Sequence, residues 1–91
     1  MTAEPAPETE PEAEIDARGL LCPLPVLKAR RGLLALPEGA RLRLLADDPA
    51  AAVDVPHFCA EAGHALLGDA ALPDGGRAYL IRRGPDREVR G

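Results

Sequence analysis

Alternation of apolar and polar residues, together with the residues that interrupt it, predicts four strands in this chain. The sequence Arg41 to Ala46 alternates and then becomes continuously apolar, as a strand buried on at least one face does. Gly68 is a weak point within the third strand, and the run Pro73-Asp74-Gly75-Gly76 predicts a tight hairpin between the last two strands. The predicted strands are 14–18, 41–46, 64–72 and 77–83.

Helical spacing of apolar residues predicts a first helix from Pro23 to about Leu36, closed by a proline and a glycine. Pro23 suits the first helical position, because its fixed φ fits the turn and its missing N–H has no helical acceptor there. Cys22 then becomes the N-cap residue. The face that packs on the sheet is expected to carry Val26, Ala29, Leu33 and Leu36.

The second helix is predicted to begin with Asp48 as its cap and Pro49 at its first position, and to end at Gly63. Pro56 lies inside it and predicts a kink near Val55 or a new start at Asp54. Cys59 falls on its sheet-facing side, so we expect a buried thiol that acts as a small hydrophobic side chain.

These elements predict an α/β (α+β) two-layer sandwich, in which a four-stranded mixed sheet carries two helices on one face in the order β-α-β-α-β-β. We expect one domain over 14–84. Residues 1–13 are acidic and lack a large apolar side chain after Met1, which predicts a disordered tail, with an acidic docking arm as the alternative. Residues 85–91 are expected to form a frayed C-terminal tail.

Charge and composition narrow the functional classes. Five of the 15 acidic residues lie within 1–14, which has no Lys or Arg, so the remainder is nearly neutral with 11 basic and 10 acidic residues. Only 2% of the residues are aromatic, which leaves few rings on which bases can stack. We therefore expect no base-specific binding of nucleic acid.

The two cysteines indicate reduced thiols. With no signal peptide and no apolar run long enough for a membrane span, the sequence predicts a cytoplasmic protein without membrane attachment. The absence of Cys-x-x-Cys disfavours both a zinc site and a dithiol redox site.

The run Cys22-Pro23-Leu24-Pro25 is the candidate for chemistry. A thiol at a helix N-terminus faces the positive end of the helix dipole and the backbone N–H of Leu24, which predicts a lowered thiol pKa with a possible contribution from Arg18. The thiolate is the nucleophilic form of cysteine. The alternative is a small cap residue that only packs.

The segment DARGLLCPLPVLK (16–28), together with Asp47-Asp48-Pro49 and the run from Asp54 to Cys59, closely resembles the TusA/SirA-like sulfur-carrier family. The strand from Ala78 to Arg83 matches as well, so the resemblance covers about residues 15–83. It implies that Cys22 is the catalytic residue, which accepts sulfane sulfur as a persulfide, and that Pro23 and Pro25 support the motif.

The resemblance also implies the partners. They are a cysteine desulfurase or rhodanese-type donor and a downstream acceptor protein in tRNA 2-thiolation, molybdenum cofactor synthesis or other sulfur metabolism. Arg30, Arg31 and Asp48 match the family's charged positions and are candidates for partner docking or plain surface charges. The chemistry implies no cofactor and no metal, and we expect a monomer. A non-catalytic interaction or regulatory module, in which Cys22 only shapes the turn, is the alternative.

Overall fold

A computed structural model describes residues 11–85, which form four strands and two helices in the predicted order. Residues 1–10 and 86–91, which hold most of both predicted tails, lie outside the described residues. Within the described part, neither helix is long and apolar enough to cross a membrane. The elements are β1 (Ala13–Asp16), α1 (Leu24–Leu34), β2 (Arg41–Ala46), α2 (Ala51–Ala62), β3 (Ala65–Ala71) and β4 (Arg77–Arg82).

The strands form one mixed sheet in the order β1-β2-β4-β3, which confirms the predicted fold class. β1 pairs with β2 in parallel, whereas β4 is antiparallel to both β2 and β3. Because β1 and β2 are parallel, their carboxyl ends lie at the same edge of the sheet. The loops that lead into α1 and α2 therefore meet there.

The core lies between the sheet and the helices. α1 contacts β1, β2 and α2, and α2 contacts β3. Burying a leucine or isoleucine side chain contributes roughly 1.5–3 kcal/mol to folding, so the central strands supply much of the stability. The largest fully buried side chains are Leu33, Leu42, Leu44, Val55 and Ile81.

The first strand begins one residue earlier than predicted. β1 begins at Ala13, and the Glu12 N–H donates to the Arg41 carbonyl at 2.9 Å. The Glu12 carboxylate in turn accepts the Arg41 N–H at 2.7 Å. Ala13 thus lies in the sheet, and Glu12, just before the strand, is hydrogen-bonded to Arg41 of β2.

The weak point predicted at Gly68 coincides with an irregularity in β3, where the register shifts between Leu66 and Gly68. A bulge places two residues of one strand opposite one residue of its partner. The predicted hairpin turn is also observed, and Gly75 takes the positive φ of 102° that the turn requires.

α2 differs from its prediction in two ways. It begins at Ala51 and not at Pro49, because residues 48–53 first form a tighter turn in which the Ala51 N–H donates to the Asp48 carbonyl at 2.9 Å. It does not begin again at Asp54, since the structure has one helix across Pro56. Pro56 is exposed, so the Ala52 carbonyl that loses its helical partner lies on the solvent side.

The helix ends are formed largely as predicted. Gly63 ends α2 in a left-handed conformation at φ 84°, and its N–H donates to the Cys59 carbonyl. α1 stops at Leu34, two residues early, because Ala35 and Leu36 make tighter bonds to the carbonyls three residues before them. The buried Arg83 donates its Nε–H to the Leu33 carbonyl at 2.8 Å and so ties β4 to this end of α1.

Candidate functional site

Two aspartates at the end of β2 hold the loop between β1 and α1. The Asp47 carboxylate accepts the Gly19 N–H at 2.9 Å, and Oδ2 of Asp48 accepts the Cys22 N–H at 2.6 Å. The second oxygen of Asp48 accepts the Ala50 N–H at 3.2 Å, inside the turn that leads into α2. Asp48 thus holds the loops that lead into both helices. The sequence predicted Asp48 as a helix cap and docking candidate, but not this bond to Cys22.

Cys22 is exposed and lies one residue before the N-cap of α1. The sequence predicted Cys22 itself as the N-cap, but Pro23 occupies that position. The Leu24 N–H, which was expected to stabilise a thiolate, donates instead to the Leu21 carbonyl at 2.8 Å. The peptide bond between Cys22 and Pro23 is cis. Because the Leu24 N–H already has an acceptor in the Leu21 carbonyl, it is not available to stabilise a Cys22 thiolate.

The Cys22 thiol makes its own hydrogen bond to a carboxylate. Its Sγ lies 2.9 Å from Oδ2 of Asp54, in the first turn of α2. This hydrogen bond, with burial and the negative charges of Asp54 and Asp48 as further causes, raises the pKa of the Cys22 thiol. The prediction of a lowered pKa is wrong, because the carboxylates of Asp54 in α2 and Asp48 in the loop before it disfavour the thiolate.

Arg18 does not supply the positive charge that the sequence proposed for Cys22. Its guanidinium donates to Asp16 at 2.8 Å and to Asp74 at 2.6 Å, which joins the β1–α1 loop to the hairpin between β3 and β4. The hydrogen bonds from Arg18 lower the pKa of Asp16 to about 2. Arg18 is a structural residue in this arrangement.

The remaining motif residues surround the thiol. Pro23 is exposed, whereas Pro25 is the second residue of α1 and is buried. Both prolines, with Cys22, Asp48 and Asp54, line a crevice that is too narrow for a water molecule. Within residues 11–85 no group of three or more His, Cys, Asp or Glu side chains is arranged to hold a metal ion.

Arg30 and Arg31, the two arginines predicted for docking, are both exposed on α1 but have different neighbours. Arg31 lines a groove of about 570 Å³ between α1 and the edge strand β1, whereas Arg30 does not. Leu24 and Leu27 line the same groove, and their side chains are 46% and 48% exposed. Lys28 adds a second positive charge. The groove is thus apolar with a basic margin, and it begins within the motif that carries Cys22.

Cys59 has the character predicted from its helical face. It is buried in the core, and burial raises the pKa of its thiol to about 11. Both cysteines are free, with Cys22 at the surface and Cys59 on the buried face of α2.

Sequence reasoning missed a role for Asp54 and the exposure of Leu24. One signal was available: the parallel β1 and β2 place the starts of both helices at one edge, so an acidic residue in the first turn of α2 comes near the start of α1. The hydrogen bond itself joins residues 32 positions apart and depends on how the two helices pack.

The fold and the site define a small two-layer α/β protein that presents one exposed thiol on a loop held by carboxylates. Comparisons with known proteins identify one family. The model of the family described as "Sulfurtransferase TusA" matches residues 13–83. The chain therefore belongs to the TusA family of sulfur carriers.

Two curated relatives are named "Sulfur carrier protein TusA". The one from Pseudomonas syringae pv. syringae (strain B728a) is 38% identical over 84 residues, which are 92% of this chain and 99% of the relative. The one from Pseudomonas savastanoi pv. phaseolicola (strain 1448A / Race 6) is 37% identical over the same shares. A crystal structure of a SirA-like protein from Desulfitobacterium hafniense has a TM-score of 0.71 and 26% identity, and it covers 80% of this chain and 99% of that one.

Proposed function

We propose that this protein carries sulfane sulfur as a persulfide on Cys22 and passes it to the thiol of an acceptor protein. The observation that carries the proposal is the exposed Cys22 thiol at the loop before α1, in a chain of the TusA family. Cys59 is unsuited to the role, because a buried thiol cannot meet a protein donor. No cofactor is needed, since thiol–persulfide exchange is a redox-neutral transfer.

The surroundings of Cys22 favour a carrier whose added sulfur points outward. Sγ of Cys22 is already in hydrogen-bond contact with Asp54 at 2.9 Å, and the crevice that both residues line is narrow, so we expect the added sulfur on this exposed residue to extend toward solvent. There a partner's thiol can reach the terminal sulfur. The acceptor pathway, whether tRNA 2-thiolation, molybdenum cofactor synthesis or other sulfur metabolism, depends on the partner.

The groove beside Cys22 supports docking of a protein donor. Leu24 and Leu27 offer apolar surface, and Arg31 offers positive charge at the margin. Apolar centres with charged margins are typical of protein interfaces, where charge sets encounter rate and register. Arg30 lies outside the groove but on the same helix, and Asp48 lies beside the thiol. We propose a cysteine desulfurase or rhodanese-type protein as the donor.

Mass spectrometry after incubation with a cysteine desulfurase and cysteine tests the carrier. The wild-type protein should gain the mass of one sulfur atom, which a reductant removes. Cys22→Ser should abolish the gain, while Cys59→Ser should retain it, because the two thiols differ in exposure. A Cys22–Cys59 disulfide with no persulfide from any donor would exclude the carrier function and leave a redox or structural module.

Charge reversal of Arg30 and Arg31 separates docking from chemistry in the same assay. Loading from the desulfurase should slow and become more sensitive to salt, because steering by exposed charges is screened. Loading from sodium polysulfide, which needs no docking surface, should be unchanged. Unchanged loading from both donors would leave these arginines as plain surface charges.

A further inference from the structure

The contact between Cys22 and Asp54 requires a proton. Sγ and Oδ2 lie 2.9 Å apart, and a thiolate and a carboxylate at that distance would repel each other strongly. One of the two groups must therefore be protonated, and the geometry has the thiol donating to the carboxylate. The half-buried Asp54 is held in the first turn of α2, where its own N–H donates to the Ala50 carbonyl at 2.8 Å.

The other charged groups around Cys22 do not offer it a base or a counter-charge. Asp48, from the loop before α2, uses both oxygens for the backbone N–H groups of Cys22 and Ala50. The first turn of α1 contains no acidic residue. Arg18, from the loop after β1, is directed at Asp16 and Asp74. Of the described carboxylates, Asp54 is the one bonded to the thiol itself.

We propose that Asp54 is the acid–base residue of sulfur transfer, removing the Cys22 proton as its sulfur attacks the donor and returning it when the sulfur leaves. This inference rests on the proposed function. Asp54 touches the reacting atom, so its role is catalytic in the strict sense. The nucleophile is a thiolate, and a thiol that is protonated at rest needs a base within reach.

The loading step balances in atoms and charge. Sγ of Cys22 attacks the terminal sulfur of the donor persulfide R–S–SH, the S–S bond of the donor breaks, and R–S⁻ leaves. The Cys22 proton moves to Asp54, so the products are Cys22–S–SH, R–S⁻ and a neutral Asp54. No electrons are gained or lost overall.

In the unloading step, the terminal sulfur moves from Cys22 to the acceptor and the proton transfer runs in the opposite direction. An acceptor thiolate attacks the terminal sulfur of Cys22–S–SH, and the Cys22 sulfur leaves as a thiolate. Asp54 returns the proton to it, which regenerates the hydrogen-bonded pair. One carboxylate thus acts as base in one half of the relay and as acid in the other.

A competing reading is that Asp54 only suppresses Cys22 by keeping it protonated. The two readings predict opposite changes in the rate at which the Asp54→Asn variant is loaded with sulfur. Removing the negative charge lowers the thiol pKa in both cases. If Asp54 only suppresses, the larger thiolate fraction speeds loading at neutral pH, because nucleophilicity falls less than the thiolate fraction rises. If Asp54 is the base, loading slows in spite of the larger thiolate fraction.

The experiment uses the full chain with Cys59→Ala, so that one thiol is observed. The Cys22 pKa is measured from the ultraviolet absorbance of the thiolate, and single-turnover loading from sodium polysulfide is followed by mass spectrometry across pH. Glu61→Gln on the same helix is the matched control for loss of one acidic charge. Asp54→Ser is a second variant in case the asparagine disturbs folding, which circular dichroism reports.

We expect Asp54→Asn to lower the Cys22 pKa and yet to slow loading at pH 7 by roughly 100-fold, the low end of what a positioned acid–base group contributes. The deficit should shrink as the pH rises, because bulk base then removes the proton. Glu61→Gln should match the Cys59→Ala parent. Loading by Asp54→Asn at or above the parent rate, or an unchanged Cys22 pKa, would overturn the inference while leaving the carrier function intact. Failure of the parent protein itself to load would instead refute the carrier function.

Discussion

The two thiols of this chain have raised pKa values for different physical reasons. Cys22 is exposed, and the carboxylate of Asp54 keeps its proton in place through a hydrogen bond. Cys59 is buried, and the loss of hydration alone disfavours its charged form. The largest cause of the Cys22 shift is one side chain, Asp54, which a single substitution can remove, whereas the Cys59 shift depends on the packing of the core.

Burial of Cys59 predicts a loss of stability at alkaline pH. The unfolded thiol ionises near pH 9, while the folded thiol keeps its proton to about pH 11. The free energy of unfolding should therefore fall as the pH rises through this window, because only the unfolded chain releases the proton. Below pH 9 both states are protonated and the effect is absent. Cys22 and Tyr79, whose pKa values are also raised, act in the same direction.

Urea unfolding at pH 8 and pH 11 measures this contribution. Wild type should lose about 2 kcal/mol more than Cys59→Ala, since each pKa unit corresponds to about 1.4 kcal/mol. The variant keeps Cys22 and Tyr79, so the difference isolates Cys59. Equal losses in the two proteins would mean that the Cys59 thiol is hydrated in the folded state.

At the scale of elements, the end of β4 packs closely against the junction between α2 and β3. Gly84 follows β4 and donates its N–H to Nδ1 of His64 at 2.9 Å. A Cβ at Gly84 would overlap the carbonyl oxygen of Gly63, where α2 ends. The last strand is thus fitted against the α2–β3 junction with no room for a side chain.

Gly84→Ala should lower the free energy of unfolding by about 1–3 kcal/mol, because the obstacle is backbone that cannot move aside cheaply. Gly68→Ala is the matched control, since a Cβ at that position in β3 meets open space. It should be neutral or slightly stabilising, because alanine loses less backbone entropy on folding. Denaturation midpoints compare the two variants. Similar midpoints would show that the α2–β3 junction yields easily.

At the scale of the whole molecule, the charge of the chain is divided unevenly between its parts. Five glutamates precede residue 15, and the rest is close to neutral. Two of these glutamates belong to the fold: Glu12 accepts the Arg41 N–H, and Glu14 pairs with Arg43 at 3.6 Å. The folded part therefore begins inside the acidic segment.

Two truncations locate the start of the domain. Deleting residues 1–10 should change stability by less than about 0.5 kcal/mol, because this segment has no large apolar side chain after Met1. Deleting residues 1–13 should cost roughly 1–3 kcal/mol, because the hydrogen bonds of Glu12 and the first residue of β1 are lost. Thermal unfolding of both proteins is the measurement. Equal melting temperatures for the two would place the boundary at residue 14, as the sequence predicted.

By itself, the sequence determined the order of the elements, the hairpin turn, the end of α2 at Gly63 and the burial of Cys59. These features follow from signals within a few residues: periodicity, glycine at positive φ and apolar side chains on one helical face. The family was also recognisable from its motifs.

The tertiary structure alone decided the protonation of Cys22. Local sequence supplied the dipole of α1, which favours a thiolate, but the stronger influence comes from Asp54, 32 residues away on α2. Asp48 likewise reaches across 26 positions to hold the Cys22 N–H. Electrostatic interactions depend on distances in space, and those distances exist only once the parallel pairing of β1 with β2 brings the starts of both helices together.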